Sequence, residues 1–294
     1  MTDPTRINVP RCRDDRIALA RRLNPHLSSR DRAVAAIEGG PDAARKRIRT
    51  IDPVAYARTR NHLDGAITRL SPYIRHGVVS LAEVRDAVLS AAANQGEAEK
   101  MVQQLAWRDY WQRLHADLGN RIWDDLEDYK TGFQPSDYAR DLPDDIARAE
   151  TGVASMDHCL RQLIQTGWLH NHARLYLAAY VCHFRRVRWQ AGAQFFLTHL
   201  LDGDPASNNL SWQWVASTFS HKPYYFNLDN MRRFCGPDVD VTDRNNRVFA
   251  DTYEALHRRL FPRLDPPQPR QKKSERANTS AHRNGAQQTQ TVQS

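Results

Sequence analysis

The densest apolar run in the chain, Gln194-Phe195-Phe196-Leu197-Thr198-His199-Leu200-Leu201, stops abruptly at Asp202-Gly203-Asp204-Pro205. Two carboxylates beside a glycine and a proline mark a turn. The pattern therefore predicts a helix, a polar turn, and a second helix carrying Asn208, Asn209, Trp212 and Trp214. Upstream, Leu81 to Leu118 reads as two helices parted near Asn94-Gln95-Gly96. Thr151-Gly152 opens a further helical pair, Met156 to Leu163 and Trp168 to Arg174, broken at Thr166-Gly167. Residues 1–50 are mostly helical by pattern, with a break at Gly39-Gly40-Pro41 and Asp42 placed to cap the next helix. Tyr56 to Arg60, followed by Ile67 to Ile74, reads as a polar loop leading into a helix. Trp123 to Asp145 is acidic and irregular, a surface loop, and Cys182 to Trp189 is a short basic connector. Val239 to Phe261 has room for one more helix. There is no internal repeat, and no alternation of β-branched strands with helices precedes Gly39.

Composition sharpens this picture. The 294 residues suffice for one large domain or two small ones with an ample core. A net charge of +8 points to an anionic partner. Half of that excess sits after Pro266, where Arg270, Lys272, Lys273, Arg276 and Arg283 face only Glu275 in a tail rich in Gln, Ser, Thr and Asn. Such a tail reads as a disordered, solubilising end, which leaves a weaker phosphate-facing surface on the folded part. Cys12, Cys159, Cys182 and Cys235 are far apart, which argues against zinc, an iron–sulfur cluster and a secreted disulfide framework. The N-terminus lacks an apolar targeting segment and no run approaches a membrane span, so the expectation is a cytoplasmic protein with neither metal nor membrane partner.

Several polar residues fit chemistry or a specific partner as well as ordinary structural roles. Carboxylates at the end of an apolar run need cationic or hydrogen-bonded partners once buried. Gln104, Trp107 and Arg108 are three and four residues apart, and Asn171, Arg174 and Ala178 follow the same helical spacing, so each set is expected on one helix face. Thr68 and Ser71 place hydroxyls at a helix start, a setting that suits phosphate oxygens as well as ordinary capping.

From Gly39 to Phe234 these pieces occur in an order that resembles the flavin-binding helical domain of the photolyase and cryptochrome family. The family's DGD-x-A-x-N-N-x-x-W-Q-W block is present from Asp202 to Trp214, and its T-G…R-Q-L-x-x-T-G-W-L-H-N-H-x-R text from Thr151 to Arg174. The W-R-D-Y block at Trp107 and the Pro223-Tyr224-Tyr225 element are also kept. The resemblance implies an all-α fold holding FAD. It divides the chain into a lead-in (residues 1–38), a FAD-binding domain (39–262) and a tail (263–294). The family's α/β antenna domain has no counterpart before Gly39, so the flavin domain is expected to stand alone, with any antenna or signalling protein docking in trans.

The resemblance also implies roles. Tyr56, Thr68, Arg69, Leu70 and Ser71 would contact the cofactor, although Ile67 replaces the first hydroxyl of the family's pyrophosphate segment. Asn171, Arg174, Asp202, Gly203, Asp204 and Asn208 would surround the flavin, with Arg174 paired to Asp202 and Asn208 facing the ring. Damaged DNA would meet Arg60, Gln104, Trp107, Arg108, His172, Leu175 and Trp214, the two tryptophans stacking on a flipped pyrimidine dimer. Gln104 stands where enzymes acting on cyclobutane dimers carry glutamate, as in (6-4) photolyases and many cryptochromes, and His172 stands where arginine is common. Trp212 and Trp189 match the inner members of an electron relay whose third position is Ile146, so the relay is either shortened or leaves through another aromatic such as Tyr176 or Tyr180. The implied function is a light-driven photolyase. The alternatives are a cryptochrome-like blue-light sensor without repair and a helical nucleic-acid-binding scaffold that no longer uses flavin.

Overall fold

The computed structural model describes residues 37–265, together with Cys12, Asp14, Asp15, Ala18, Leu19 and Arg22. Most of the expected lead-in, and the tail from residue 266, lie outside the described residues. Those described form an all-α arrangement in which the one β feature is an isolated parallel bridge, Ala139 to Val187. Among residues 37–265, twelve α-helices run in chain order: α1 Pro41–Arg49, α2 Pro53–Thr59, α3 Ser71–Arg75, α4 Leu81–Ala91, α5 Gln95–Leu118, α6 Asp144–Ala147, α7 Ala154–Thr166, α8 Asn171–Ala179, α9 Trp189–His199, α10 Pro205–Ala216, α11 Leu228–Phe234 and α12 Tyr253–Leu260. None of them is long and apolar enough to cross a membrane, and among the described residues no His, Cys, Asp or Glu group is arranged to hold a metal ion.

Local chemistry sets the helix ends. Asn94 caps α5 by accepting from the Glu97 amide at 3.2 Å, which separates α4 from α5 where the polar triplet predicts. Ser80 and Glu83 close a reciprocal capping box on α4. Gly167 ends α7 in the left-handed region at φ 67°, a conformation that favours glycine. Asp42 does not cap α1; Gly40 does, and Asp42 sits inside the first turn, paired with Arg45 at 2.8 Å. Tyr56 also differs from expectation: Asp52 caps a helix there by accepting from the Ala55 amide at 2.8 Å, so the polar loop begins only after Thr59.

The largest core lies among α7, α8, α9 and α10, with Trp189, Leu163, Leu169 and Tyr176 fully enclosed; a second packs α1, α4 and α5 around Leu70, Tyr73, Val88 and Met101. The segment expected as a surface loop and the basic connector both belong to the first core. Within Trp123–Asp145, Tyr129 stacks on Tyr138 at 4.6 Å, and Thr131 and Tyr138 share a buried hydroxyl hydrogen bond of 2.8 Å. The basic connector opens as a π-helical turn, Tyr180–Phe184, with Cys182 and His183 enclosed. Its arginines are partnered inward: Arg185 pairs with Asp145 at 2.8 Å, and Arg186 lies 3.6 Å over the Phe133 ring. Between Val239 and Phe261 only Tyr253–Leu260 is α-helical.

Burial pulls the imidazoles of His170, His172 and His183 down from 6.5 to about 4. They remain neutral in the folded chain but accept protons when it unfolds, so acid favours unfolding as pH falls from 6.5 towards about 4. The melting temperature should fall across this window, in whose upper part carboxylates are ionised in both states. A flat melting temperature down to about pH 5 would contradict neutral buried histidines.

Candidate functional site

The turn between α9 and α10 is polar in sequence yet buried: Asp202 and Asp204 are each 6% exposed. The cost of such burial explains the partners that other helices send to it. From α8, the Arg174 Nη2 donates to both Asp202 oxygens at 2.9 and 2.8 Å, and its Nε donates to the Leu169 carbonyl at 2.9 Å. Burial alone would raise the Asp202 carboxyl, but Arg174 and a hydrogen bond from Ser71 hold it below the usual carboxylate range. Asp204 caps α10, accepting from the Ser207 amide and hydroxyl at 3.1 and 2.7 Å and from Gln112 Nε2 at 2.6 Å, with Arg108 at 3.9 Å. These bonds offset its burial as well. Arg75 and His76 strap α3 to the same turn through the Gly203 and Leu201 carbonyls, at 2.7 and 2.8 Å.

Above this turn lies a cavity of about 150 Å³ lined by Arg174, Asp202, Asn208, Ser207 and Ser211 on its polar side. Asn171 and Leu175 of α8 and Gly203 and Asp204 of the turn also line it, and Phe196, Leu200, Trp212 and Val215 form apolar walls. A neighbouring cavity of about 170 Å³ is lined by Tyr56, Thr68, Leu70, Gln104 and Leu105. Ser71 and Arg108 line both and mark where they meet. α3 is a single five-residue helix, too short for a strong macrodipole, so polarity here comes from hydroxyls and guanidinium groups. Burial pushes the Tyr56 phenol up, against a hydrogen bond to Arg60.

A third, wider groove of about 590 Å³ is lined by Gln103, Ala106, Trp107, Tyr110, Trp111, Trp214 and Phe219. Trp107 and Trp214 are 47% and 41% exposed, an unusual state for tryptophan that makes this the aromatic face of the molecule. The expected single face of Gln104, Trp107 and Arg108 is in fact two: Gln104 and Arg108, one turn apart, face the inner cavities, while Gln103 and Trp107 face the groove. A helix turns about 100° per residue, so these adjacent pairs diverge.

The structure thus gathers most of the sequence-derived residues into two joined cavities and one groove, and leaves four outside. Arg60 bonds to Tyr56 behind the second cavity. Arg69, in the left-handed region at φ 51°, lies 4.5 Å over the Trp168 ring. His172 is buried against Tyr176 and Phe234, at 4.8 and 5.1 Å. Trp189 is fully enclosed in the core. Sequence pattern alone does not single out Gln112, Ser207 and Ser211, nor Tyr110 and Trp111, whose spacing of three and four from Trp107 is the available signal.

Replacing Arg174 by Ala would leave the Asp202 carboxylate buried without its cation, at a cost of about 3 kcal/mol or more. Denaturant unfolding should register that loss, and adding Asp202→Asn should recover part of it by removing the stranded charge. Unchanged stability in Arg174→Ala would contradict the pairing.

Residues 101–259 match the family described as the FAD binding domain of DNA photolyase. The chain is 37% identical over 188 residues to the deoxyribodipyrimidine photo-lyase of Streptomyces griseus, and 34% identical over 168 residues to that of Alkalihalophilus pseudofirmus. These alignments take in 61% and 55% of this chain but only 39% and 34% of the two relatives, so the chain spans well under half their length. Among solved structures, a Synechocystis cryptochrome superposes with a TM-score of 0.60 at 21% identity, covering 79% of this chain and 47% of that one. A class III photolyase from Agrobacterium tumefaciens gives 0.56 at 24% identity, covering 77% and 46%. Together, the family match across more than half of the sequence and the shared helical fold place this chain in the FAD-binding domain family of DNA photolyases.

Proposed function

We propose that residues 39–262 are the flavin-holding unit of a light-driven lyase acting on pyrimidine dimers in DNA. The observation that carries this reading is the position of α5, one helix that borders both the polar cavities and the aromatic groove. A cofactor and a base held in the two would be neighbours.

The residues present fit FAD. A flat apolar ring suits the walls formed by Phe196, Leu200, Trp212 and Val215. The Trp212 indole N–H is buried without a partner in the protein, a donor that a bound group would satisfy. Thr68, Ser71 and Arg108 supply hydroxyls and a cation for the pyrophosphate where the cavities join. When bound, reduced and excited by blue light, FAD supplies an electron.

The chain's own residues orient and polarise. Both amide hydrogens of Asn208 are committed, to the Ala193 carbonyl at 3.1 Å and to Asn209 Oδ1 at 3.0 Å, so its carbonyl oxygen remains to accept from a ligand N–H. The Arg174–Asp202 pair sets a fixed dipole at the cavity's polar side. Trp107 and Trp214 offer faces on which a base swung out of the duplex can stack. Gln104 lines the second cavity beside the groove, and as a neutral amide it can bond a carbonyl presented there but cannot deliver a proton.

Gln104, together with a His172 buried away from any phosphate, favours a second reading as a blue-light sensor that does not repair. Repair assays on oligonucleotides carrying a cyclobutane dimer or a (6-4) photoproduct, in blue light and in the dark, separate the two. Light-dependent loss of either lesion is expected, and Gln104→Glu should raise activity on the cyclobutane dimer. A flavin-loaded chain that repairs neither would leave the sensor reading in its place.

A further inference from the structure

Trp212 rests on α9. Its ring lies 4.9 Å from Phe196, and a methyl group built on Gly192 would fall 2.2 Å from it. Gly192 and Phe196 follow Trp189 by three and seven residues, so all three share one stripe of the helix. Behind the fully enclosed Trp189, the Trp123 ring stacks with centroids 6.3 Å apart and planes within 8°. Trp123 ends the 3₁₀ turn Gly119–Trp123 and is part-exposed. Asp125 ties the stacked pair together: its Oδ1 accepts from Trp189 Nε1 at 2.6 Å and from Gln190 Nε2 at 3.1 Å, and the same Gln190 amide reaches the Trp123 carbonyl at 3.3 Å.

We propose that Trp123 is the terminal donor of an electron relay Trp212–Trp189–Trp123, with Asp125 as the positioning residue for its middle member. The inference rests on the flavin reading above. One electron passes from Trp212 to the photoexcited oxidised flavin, one from Trp189 to Trp212, and one from Trp123 to Trp189; no covalent bond breaks in these steps. The positive charge ends on Trp123, whose indole proton leaves to solvent, and an external thiol returns one electron and one proton.

Three observations favour this route. A positive charge on an enclosed indole is costly, and the Asp125 carboxylate against Trp189 Nε1 lowers that cost at the step that most needs it. Trp123 alone of the three reaches solvent, where charge is hydrated and the proton can depart. The other candidates lead elsewhere: Ile146 is fully buried and cannot be oxidised, Tyr176 packs on His172 and Phe226, and Tyr180 on Phe184 and Phe249. Tyr129 is the competing exit, its hydroxyl 3.4 Å from Asp125 Oδ1.

The test uses the full chain with bound FAD and follows flavin absorbance during illumination with a thiol. Trp123→Phe should lose most photoreduction while keeping flavin content and melting temperature, and Trp123→Tyr, which restores an oxidisable ring, should regain part of it. Two readouts do not depend on turnover. In the flavin-free protein, Trp123→Phe and Trp189→Phe should each remove the same exciton component from the circular dichroism, leaving that of the stacked Trp107–Trp111 pair at 5.2 Å, and illumination without thiol should leave oxidation products on Trp123 in the mass spectrum. If Trp212→Phe abolishes photoreduction but Trp123→Phe does not, the proposed exit is wrong, and loss in Tyr129→Phe would place it at the phenol. If Trp212→Phe photoreduces like the parent, the electron does not enter through Trp212 and the relay falls while the flavin reading stands; a chain that takes up no FAD would instead overturn the flavin reading.

Discussion

Two carboxylates buried in one turn are the constraint to which the rest of this site answers. Asp202 and Asp204 cannot leave water without partners, and the turn between α9 and α10 supplies none of the cations itself. Arg174 must therefore come from α8, Ser71 from α3 and Gln112 and Arg108 from α5. Holding that turn fixes the relative placement of five helices, and the space left among them is the pair of joined cavities.

The length of α5 turns this arrangement into a working surface. At 24 residues it is much the longest helix described, and successive faces serve different ends. Gln104 and Arg108 complete the enclosed, polar side, while Trp107, Tyr110 and Trp111 form an open aromatic shelf with Trp214 and Phe219. On the proposed reading, a stacking platform set one helix face away from the cavities keeps a base and a cofactor close while only the base is exposed to water. The stacked Trp123 and Trp189 offer electrons a separate path, reached from Trp212 through the α9 stripe on which it rests.

Helix breaks are readable from sequence wherever punctuation is local. The Asn94 cap and the left-handed Gly167 need only their own neighbours to act. The Asp202–Arg174 pair and the convergence of Asn208 and Trp212 are readable through the family resemblance. Tertiary burial is not. Tyr129, Thr131 and Tyr138 look like loop residues until Tyr138 meets Thr131 and Arg186 covers Phe133. His172 resembles a surface contact until Phe234, sixty-two residues later, closes over it. Trp123 carries no signal of its own in the sequence, because its significance lies in a stack with Trp189 across a gap that no periodicity reports.

The central claim is that the two cavities meeting at Ser71 and Arg108 hold the two ends of one FAD. Equilibrium titration of the flavin-stripped chain with FAD and, separately, with FMN tests it most directly. FMN lacks the adenosine end and would leave the second cavity empty, so FAD should bind saturably and much more tightly than FMN. Equal affinity for the two flavins, or no binding of either, would contradict the claim.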